Sequence, residues 1–316
     1  MESVSEDEAM SRIPETFSIL ERYLANLRVE VEPFALCLLQ SGWRLTLPGP
    51  PCAMLHFVVE GNGWLIGPDG VKMRIEPGWL IVIPEGAQHS LDTQERSEHE
   101  LKIECTPAGP PVHHIIAGAE PAEMKVGCGT LNVRYGEAIG LFDHLAEVLA
   151  VDLSDVPGVM AMFEALIDEQ SSGVPGTPVI QGAIMTQLLV HMLRALVVQS
   201  TSSLAWLNAL DDPRMARVID RIMADPFAAH TVESLADVAH MSRSAFAKQF
   251  QAAFSNSPMN LVNHVRLERA ARLLNSSKRP VEQIGKQCGY SSRSHFSHAF
   301  KKHMGLSPAE FRISGT

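Results

Sequence analysis

Hydrophobic residues recur at every fourth position in two segments near the C-terminal end of the chain. Residues spaced in this way lie on one side of an α-helix, so each segment predicts an amphipathic helix whose apolar face packs inward. A shorter helical pattern precedes each segment, over residues 232–239 and 281–287. The apolar positions of the two longer helices are Phe246, Phe250, Phe254, Phe296, Phe300 and Met304.

The two segments are copies of one unit. They align at an offset of 49 residues, which becomes 50 once the second copy inserts a residue in its turn. Each copy reads as a short helix, a tight turn, a serine N-cap and a longer helix, which is the layout of a helix-turn-helix. We predict Ser242 and Ser291 as the N-caps, and a long helix over residues 259–275 between the copies.

Polar and basic side chains occupy the face of each longer helix that lies opposite its apolar stripe. Such a face either is solvated or contacts a charged partner. The candidate contact residues are Arg243, Ser244, Lys248 and Gln251 in the first copy, and Arg293, Ser294, Ser297, His298, Lys301 and Lys302 in the second.

Charge is distributed unevenly between the two parts of the chain. Residues 211–316 hold 15 Lys and Arg against 9 Asp and Glu, whereas residues 1–210 hold 11 against 27. A basic C-terminal part is the electrostatic footprint that a phosphate backbone requires. The acidic N-terminal part would repel DNA, so it is expected to have a different role.

The repeat, the Ser-Pro ending of both copies and the basic helix VRLERAARLL together resemble the DNA-binding domain of the AraC/XylS family of bacterial transcription regulators. The resemblance covers residues 213–313 and implies double-stranded DNA and RNA polymerase as partners. It also implies that both recognition helices enter successive major-groove segments, about 34 Å apart. By position, the residues that match base-facing sites are Ser244, Ala247, Lys248, Arg293, Ser294, Ser297 and His298.

The N-terminal part has a different periodicity. Residues 12–27 predict an amphipathic helix, and residues 29 to about 133 consist of short apolar or alternating runs broken by Gly and Pro. That succession is typical of the strands of a barrel or sandwich. Helical patterns return over residues 138–200, and their long last helix is apolar on more than one side. It is expected to be covered by the barrel or by a second subunit, and the family resemblance favours a homodimer.

Two of the strand regions resemble the motifs of the cupin barrel. The second motif is nearly complete, with Thr93 in place of its final Asn, and the first is partial, with Met54 in place of its first histidine. The inward residues of such a barrel line a cavity that holds a metal or a small ligand. The matching positions are His56, Glu60 and Gly67 in the first motif, and Gly78, Pro84, Gly86 and His89 in the second.

Several ligand sets are open for this cavity. His56, Glu60 and His89 would form a two-histidine-one-carboxylate site for non-haem iron. The AraC-type regulators that carry this kind of cupin imply another set, Cys37, His56, His89 and Cys128, which suits a closed tetrahedral zinc site and a sensor of metal or oxidant rather than an enzyme. An organic effector would contact His56 and Glu60 with Trp43 and Trp64. Alternatively, the histidines and cysteines are ordinary core residues.

These observations predict an α+β protein with four parts. They are an acidic tail and helix over residues 1–28, a cupin-like sensor barrel over 29–136, a helical linker or dimerisation region over 137–210, and an all-α domain with two helix-turn-helix motifs over 211–316. Five cysteines without paired spacing, and no apolar run after a basic start, favour the cytoplasm. The alternative is a cupin-type metal-dependent enzyme fused to a DNA-binding module, and Met54 counts against it.

Overall fold

The computed structural model of the chain describes residues 24, 27–31, 34–49, 52–68, 70–104, 114–135, 139–142, 145, 147–198, 209, 212–254 and 256–314. Most of the helix predicted over residues 12–27 therefore lies outside the described residues. The chain divides into two compact units, one formed by residues 1–133 and 140–203 and the other by residues 134–139 and 204–316.

The strands of the N-terminal part of the chain follow the alternating runs of the sequence. Their bounds are β1 Leu27–Val31, β2 Ala35–Leu39, β3 Trp43–Leu47, β4 Met54–Glu60, β5 Gly63–Ile66, β6 Lys72–Ile75, β7 Trp79–Ile83, β8 His89–Asp92, β9 His99–Lys102, β10 His114–Ala117, β11 Met124–Tyr135, β12 Ile139–Gly140 and β13 Leu149–Asp152. One sheet has the order β10-β2-β11-β4-β7-β13, with β1 and β12 also paired to β11, and the other has the order β6-β5-β8-β3-β9.

The inner faces of both sheets contribute to one hydrophobic core. Val58 and Ile81 come from the first sheet, and Leu45 and Leu91 from the second; each is fully buried. Alternation along each strand places these side chains on the inward face of the pleat. The predicted barrel or sandwich is therefore confirmed.

The helical interpretation of residues 138–152 is wrong in part. Residues 149–152 form β13, which pairs antiparallel with β7 so that Leu149 lies opposite Val82 and Val151 opposite Leu80. Leu149 and Val151 are buried while Asp152 is exposed, as the strand period of two requires. The segment is apolar enough for either structure, and the free edge of β7 selects the strand because it offers unpaired backbone hydrogen-bonding groups.

Two long helices follow the strands in the described part of the first unit, α1 over Val159–Ser172 and α2 over Thr177–Val198. Phe163 of α1 packs its ring 4.9 Å from that of Phe57, on the face of β4 that points away from the barrel core. By length and composition α2 could cross a membrane, but seven of its residues, among them Gln181, are buried in the protein. That burial agrees with the prediction of a covered core helix.

The second unit is helical throughout its described C-terminal part. Its helices are α3 Pro213–Ala224, α4 Val232–Val238, α5 Arg243–Phe254, α6 Pro258–Ser276, α7 Val281–Gln287, α8 Arg293–Met304 and α9 Pro308–Ser314. The chain therefore combines a strand-rich region with a helical one, as the predicted α+β class requires.

The apolar stripe of α8 forms the centre of the second copy. Phe296 and Phe300 are fully buried against Ile284 and Cys288 of the preceding helix and turn. Close approach here depends on Gly285, because a Cβ at that position would lie 2.9 Å from Cγ of Phe296.

Candidate nucleic-acid interface and barrel interior

The first helix-turn-helix consists of α4 and α5. The Thr231 hydroxyl accepts a hydrogen bond from the Ser234 amide, and the Ser234 hydroxyl accepts one from the Thr231 amide, so a capping box starts α4. His240 adopts a φ of 52° in the turn. α5 begins directly after Ser242, whose hydroxyl accepts a hydrogen bond from the Ala245 amide at 3.4 Å. The cap predicted at Ser242 is therefore confirmed.

The second helix-turn-helix consists of α7 and α8. Its cap is Ser292, whose hydroxyl accepts a hydrogen bond from the His295 amide at 3.1 Å, so the cap predicted at Ser291 is wrong by one residue. The reason is the residue that the second copy inserts. Gly289 takes a φ of 84° to turn the chain, and the longer turn delays the start of the helix by one position.

The predicted contact residues lie on the outer faces of α5 and α8, opposite the buried phenylalanines. Arg243 forms an ion pair with Glu233, joining Nη1 to Oε1 at 2.9 Å; both side chains are more than half exposed, so a phosphate can compete for the guanidinium. Ser297 and Ala247 are half-buried. The exposed candidates are Arg243, Ser244, Lys248, Gln251, Arg293, Ser294, His298, Lys301 and Lys302.

Lys248 provides a direct test of this face. Lys248→Ala is expected to weaken binding to a DNA fragment selected in vitro, and to lower the slope of log affinity against log salt by about one, because one phosphate contact is lost. Fluorescence anisotropy over a salt series measures both quantities. Lys72→Ala, on the barrel, is the matched control, and an unchanged affinity and slope in Lys248→Ala would place this side chain outside the interface.

The barrel interior brings Cys37, His56 and Cys128 onto one face of the first sheet. In the β11–β4 ladder Cys128 lies directly opposite His56. In the β11–β2 ladder Cys37 lies opposite Val126, and is therefore diagonal to Cys128. Side chains of residues two apart on a strand share a face, so the two thiols and the imidazole all point inward.

His89 reaches the same interior from the second sheet. Its Nε2 lies 2.7 Å from Nε2 of His56, and its Nδ1 lies 3.1 Å from the carbonyl oxygen of Ala87. Since that carbonyl only accepts, Nδ1 of His89 carries the proton and its Nε2 is an acceptor. His56 therefore donates from Nε2, which makes its own Nδ1 an acceptor, and this buried atom has no hydrogen-bond partner.

Burial determines the ionisation of these groups. It lowers the pKa of His56 well below its usual value, and the neighbouring His89 lowers it further. Burial also lowers the pKa of His89, against the opposing effect of its hydrogen bond to Ala87. Burial raises the pKa of the Cys128 thiol well above its usual value, assisted by a hydrogen bond with Cys37. At neutral pH the interior therefore holds neutral imidazoles and a protonated Cys128.

The donor set suits zinc in its chemistry, since two thiols and two imidazoles are its preferred ligands and one imidazole nitrogen is unpaired. The positions of the four side chains fit a zinc site less well than their chemistry does. The four side chains lie as two pairs, Cys37 with Cys128 and His56 with His89, and no three of them form a compact cluster of ligand atoms. The zinc site at these residues stays a prediction.

The other predicted sets are not assembled. Glu60 is 61% exposed and forms an ion pair with Lys125, because a register shift in the β4–β11 ladder ends the inward alternation before it. The set of His56, Glu60 and His89 is therefore wrong. Trp43 packs on the His99 ring at the edge of the core, with ring centroids 5.2 Å apart. Trp64 neighbours the inward-facing Leu65 and so lies on the opposite face, which means that no pocket of Trp43, Glu60 and Trp64 surrounds His56.

Sequence reasoning missed two polar features of the described residues. One is a partly buried ion pair in which Nε of Arg44 donates to Oδ1 of the buried Asp92 at 2.8 Å. The other is a cluster formed by His264, Glu268 and His303. The spacing of four between His264 and Glu268 was a visible signal, since it places both on one helix face. Nothing in the sequence indicated that His303 joins them.

Comparisons with known proteins agree with this architecture. A cupin family model matches residues 19–198, and a helix-turn-helix domain model matches residues 235–314. An uncharacterized HTH-type transcriptional regulator from Haemophilus influenzae is 27% identical over 92% of this chain and 96% of its own length. The RCS-specific HTH-type transcriptional activator RclR of Escherichia coli is 26% identical over 87% of this chain and 90% of its own.

A solved structure is also similar to part of the chain. It is a transcriptional regulator of the AraC-type DNA-binding domain-containing proteins from Chromobacterium violaceum, 25% identical, covering 34% of this chain and 95% of its own, with a TM-score of 0.32. The relatives are named as transcriptional regulators, which supports a regulator over the enzyme alternative. The chain belongs to the AraC-type DNA-binding transcription regulators that carry an N-terminal cupin domain.

Proposed function

We propose that this regulator senses a metal ion in its barrel, and that Cys37, His56, His89 and Cys128 hold the ion. The observation that carries the proposal is Nδ1 of His56, a fully buried acceptor without a hydrogen-bond partner. A buried polar atom left unpaired costs about 1–3 kcal/mol, so its retention in a hydrophobic core calls for a compensating ligand. Cys128 lies directly opposite on the neighbouring strand.

The state of the thiols supports a metal over direct oxidation. A buried thiol whose pKa is raised is a poor nucleophile, because the thiolate is the reactive form. A disulfide between Cys37 and Cys128 also fits poorly. Diagonal positions of an antiparallel pair lie about 7–8 Å apart, whereas a disulfide needs Cα atoms within about 6.8 Å. When bound, zinc would supply the positive charge that keeps both thiols deprotonated.

An oxidant is a second candidate signal within the same site. One relative is named as an RCS-specific activator. Metal-bound thiolates are open to oxidation, and their loss would release the ion and change the packing of the barrel. An oxidant would then act through the same four residues as the metal.

We further propose that the signal changes how strongly the second unit binds DNA. Such control requires that the ion, or its loss, favours one of two arrangements of the protein. As expected for the family, the protein would act in the cytoplasm as a homodimer and contact RNA polymerase. The exposed Val179 and Ile180 at the start of α2 provide apolar surface for a second subunit.

Metal analysis of anaerobically purified protein tests the sensor site. About one zinc per chain is expected to disappear in the Cys37→Ser/Cys128→Ser variant, because both thiolates are lost. Cys52→Ser, outside the barrel core, is the matched control and should keep the wild-type zinc content. Equal zinc content in all three proteins would refute a barrel site, without affecting the assignment of the DNA-binding unit.

A further inference from the structure

Three metal-ligating side chains converge in the second unit, away from the faces that carry the predicted DNA contacts. His264 and Glu268 lie one turn apart on α6, and His303 lies in the last turn of α8. Nε2 of His303 is 3.1 Å from Oε1 of Glu268, and Nε2 of His264 is 3.8 Å from the same oxygen. The three ligand atoms all lie within 4.8 Å of one another.

These separations match the geometry of a shared ion. Ligands about 2.0–2.2 Å from a tetrahedral zinc lie roughly 3.3–3.6 Å from each other, so shifts of about an ångström would bring all three into contact with one ion. The two imidazole rings already pack edge to face, with centroids 4.0 Å apart. Two imidazoles and one carboxylate are a ligand set that binds zinc and other divalent transition metals.

His264 gives a second, independent observation. Its Nε2 is buried and has no hydrogen-bond partner, since the distance to Glu268 is too long for a hydrogen bond. Burial, together with the neighbouring His303, lowers the pKa of His264 to about 4, so the ring is neutral at pH 7 and its nitrogen lone pair is free for a metal.

One cation already contacts the cluster. Nη1 of Arg134, which belongs to the same compact unit, donates to Oε1 of Glu268 at 3.0 Å. A carboxylate has two oxygens and about four lone-pair directions, so Glu268 can accept from Arg134 and still bind an ion. Arg134 then takes the role of the outer hydrogen-bond donors that orient a ligating carboxylate.

We propose that His264, Glu268 and His303 form a binding site for a divalent transition-metal ion, with zinc as the preferred occupant. Three protein ligands leave a fourth position for water, and side chains 22–25% exposed give solvent access to it. The site joins the helix between the two helix-turn-helix units to the C-terminal end of the second recognition helix. It is separate in residues and in chemistry from the site proposed in the barrel.

The ion would stabilise the orientation of α8 on α6. Binding to the folded state alone stabilises a protein by mass action, so the thermal midpoint of the second unit should rise with zinc concentration. By holding α8 on α6, the ion would also fix the positions of Arg293 and the other exposed side chains of α8.

Cobalt titration of the full-length Cys37→Ser/Cys128→Ser chain tests the proposal without interference from the barrel thiols. One equivalent of Co²⁺ is expected to give the visible absorption of a low-coordinate site, without a thiolate charge-transfer band. Adding His264→Ala or Glu268→Gln should weaken binding at least about tenfold and remove the zinc-dependent rise in thermal midpoint. Glu268→Gln retains an acceptor of nearly the same shape, so it covers the case in which His264→Ala does not fold.

His295→Ala is the matched control, because it removes an exposed histidine from α8, the helix that carries His303. It should bind cobalt with wild-type affinity. Equal cobalt affinity in the His264→Ala, Glu268→Gln and His295→Ala chains would overturn the site. So would a zinc-dependent midpoint that all three variants retain.

Discussion

Phe296→Ala is expected to lower the free energy of unfolding of the second helix-turn-helix by about 3–5 kcal/mol and to abolish DNA binding. Phe296 is fully buried on the inner face of α8, with its ring 5.4 Å from Tyr290 and 5.6 Å from Phe300. Truncation removes this aromatic packing and leaves a cavity that the surrounding helices fill only in part. Arg293 and His298 lie on the outer face of the same helix. Loss of the core would therefore also move these side chains out of position for contact with DNA.

Peptide-resolved hydrogen exchange over α7 and α8 measures this effect in the full-length chain, since it reports local opening rather than unfolding of the whole protein. His298→Ala, on the exposed face, should change protection by no more than about 0.5 kcal/mol. A Phe296→Ala chain that keeps wild-type protection and still binds DNA would show that the apolar stripe of α8 does not hold the motif together.

Arg44→Ala is expected to lower the free energy of unfolding of the barrel by about 3 kcal/mol. This value is near the lower end of the cost of breaking a buried ion pair, because the Arg44 side chain is 33% exposed. Asp92 is fully buried and accepts from Nε of Arg44 at 2.8 Å. Its other oxygen lies 3.4 Å from the hydroxyl of Ser90. Removal of the guanidinium leaves a buried carboxylate without a cation, whereas Arg44→Ala/Asp92→Leu removes both charges and should recover most of the loss.

Urea unfolding followed by tryptophan fluorescence measures these changes, since Trp43, Trp64 and Trp79 all lie in barrel strands. Arg74→Ala is the matched control. Its ion pair with Glu76 joins side chains that are 61% and 49% exposed, and exposed pairs contribute at most about 1 kcal/mol. Equal losses for Arg44→Ala and Arg74→Ala would mean that burial of Asp92 does not set the strength of its pair.

The C-terminal domain was largely predictable because its signals are local. The helix predicted over residues 281–287 agrees with α7, and four of the phenylalanines at a spacing of four are fully buried. They are Phe246, Phe250, Phe296 and Phe300. Only the cap shifted, from Ser291 to Ser292, since an inserted turn residue has no periodicity of its own. Duplication made the prediction stronger, because each copy supported the interpretation of the other.

Features that depend on pairing between distant strands were harder to predict. Residues 149–152 were interpreted as helix because their apolar pattern is short, and only the open edge of β7 selects a strand. Glu60 was expected to point inward with His56, but a register shift in the β4–β11 ladder, where β4 carries one extra residue, redirects it. The ion pair of Arg44 with Asp92 was not predicted for the same reason, because strand pairing brings together two residues that are 48 positions apart in the chain.

The most direct test of the proposed control of DNA binding by the barrel uses the His264→Ala/His303→Ala chain. Its DNA affinity is measured while zinc is removed by a chelator and then returned under anaerobic conditions. These substitutions remove the second candidate site, so the remaining response belongs to the barrel. The account predicts a reversible change in affinity of at least about fivefold, the lower range of allosteric coupling, and its absence when Cys37→Ser/Cys128→Ser is added. Equal affinity with and without zinc would contradict a metal-sensing barrel.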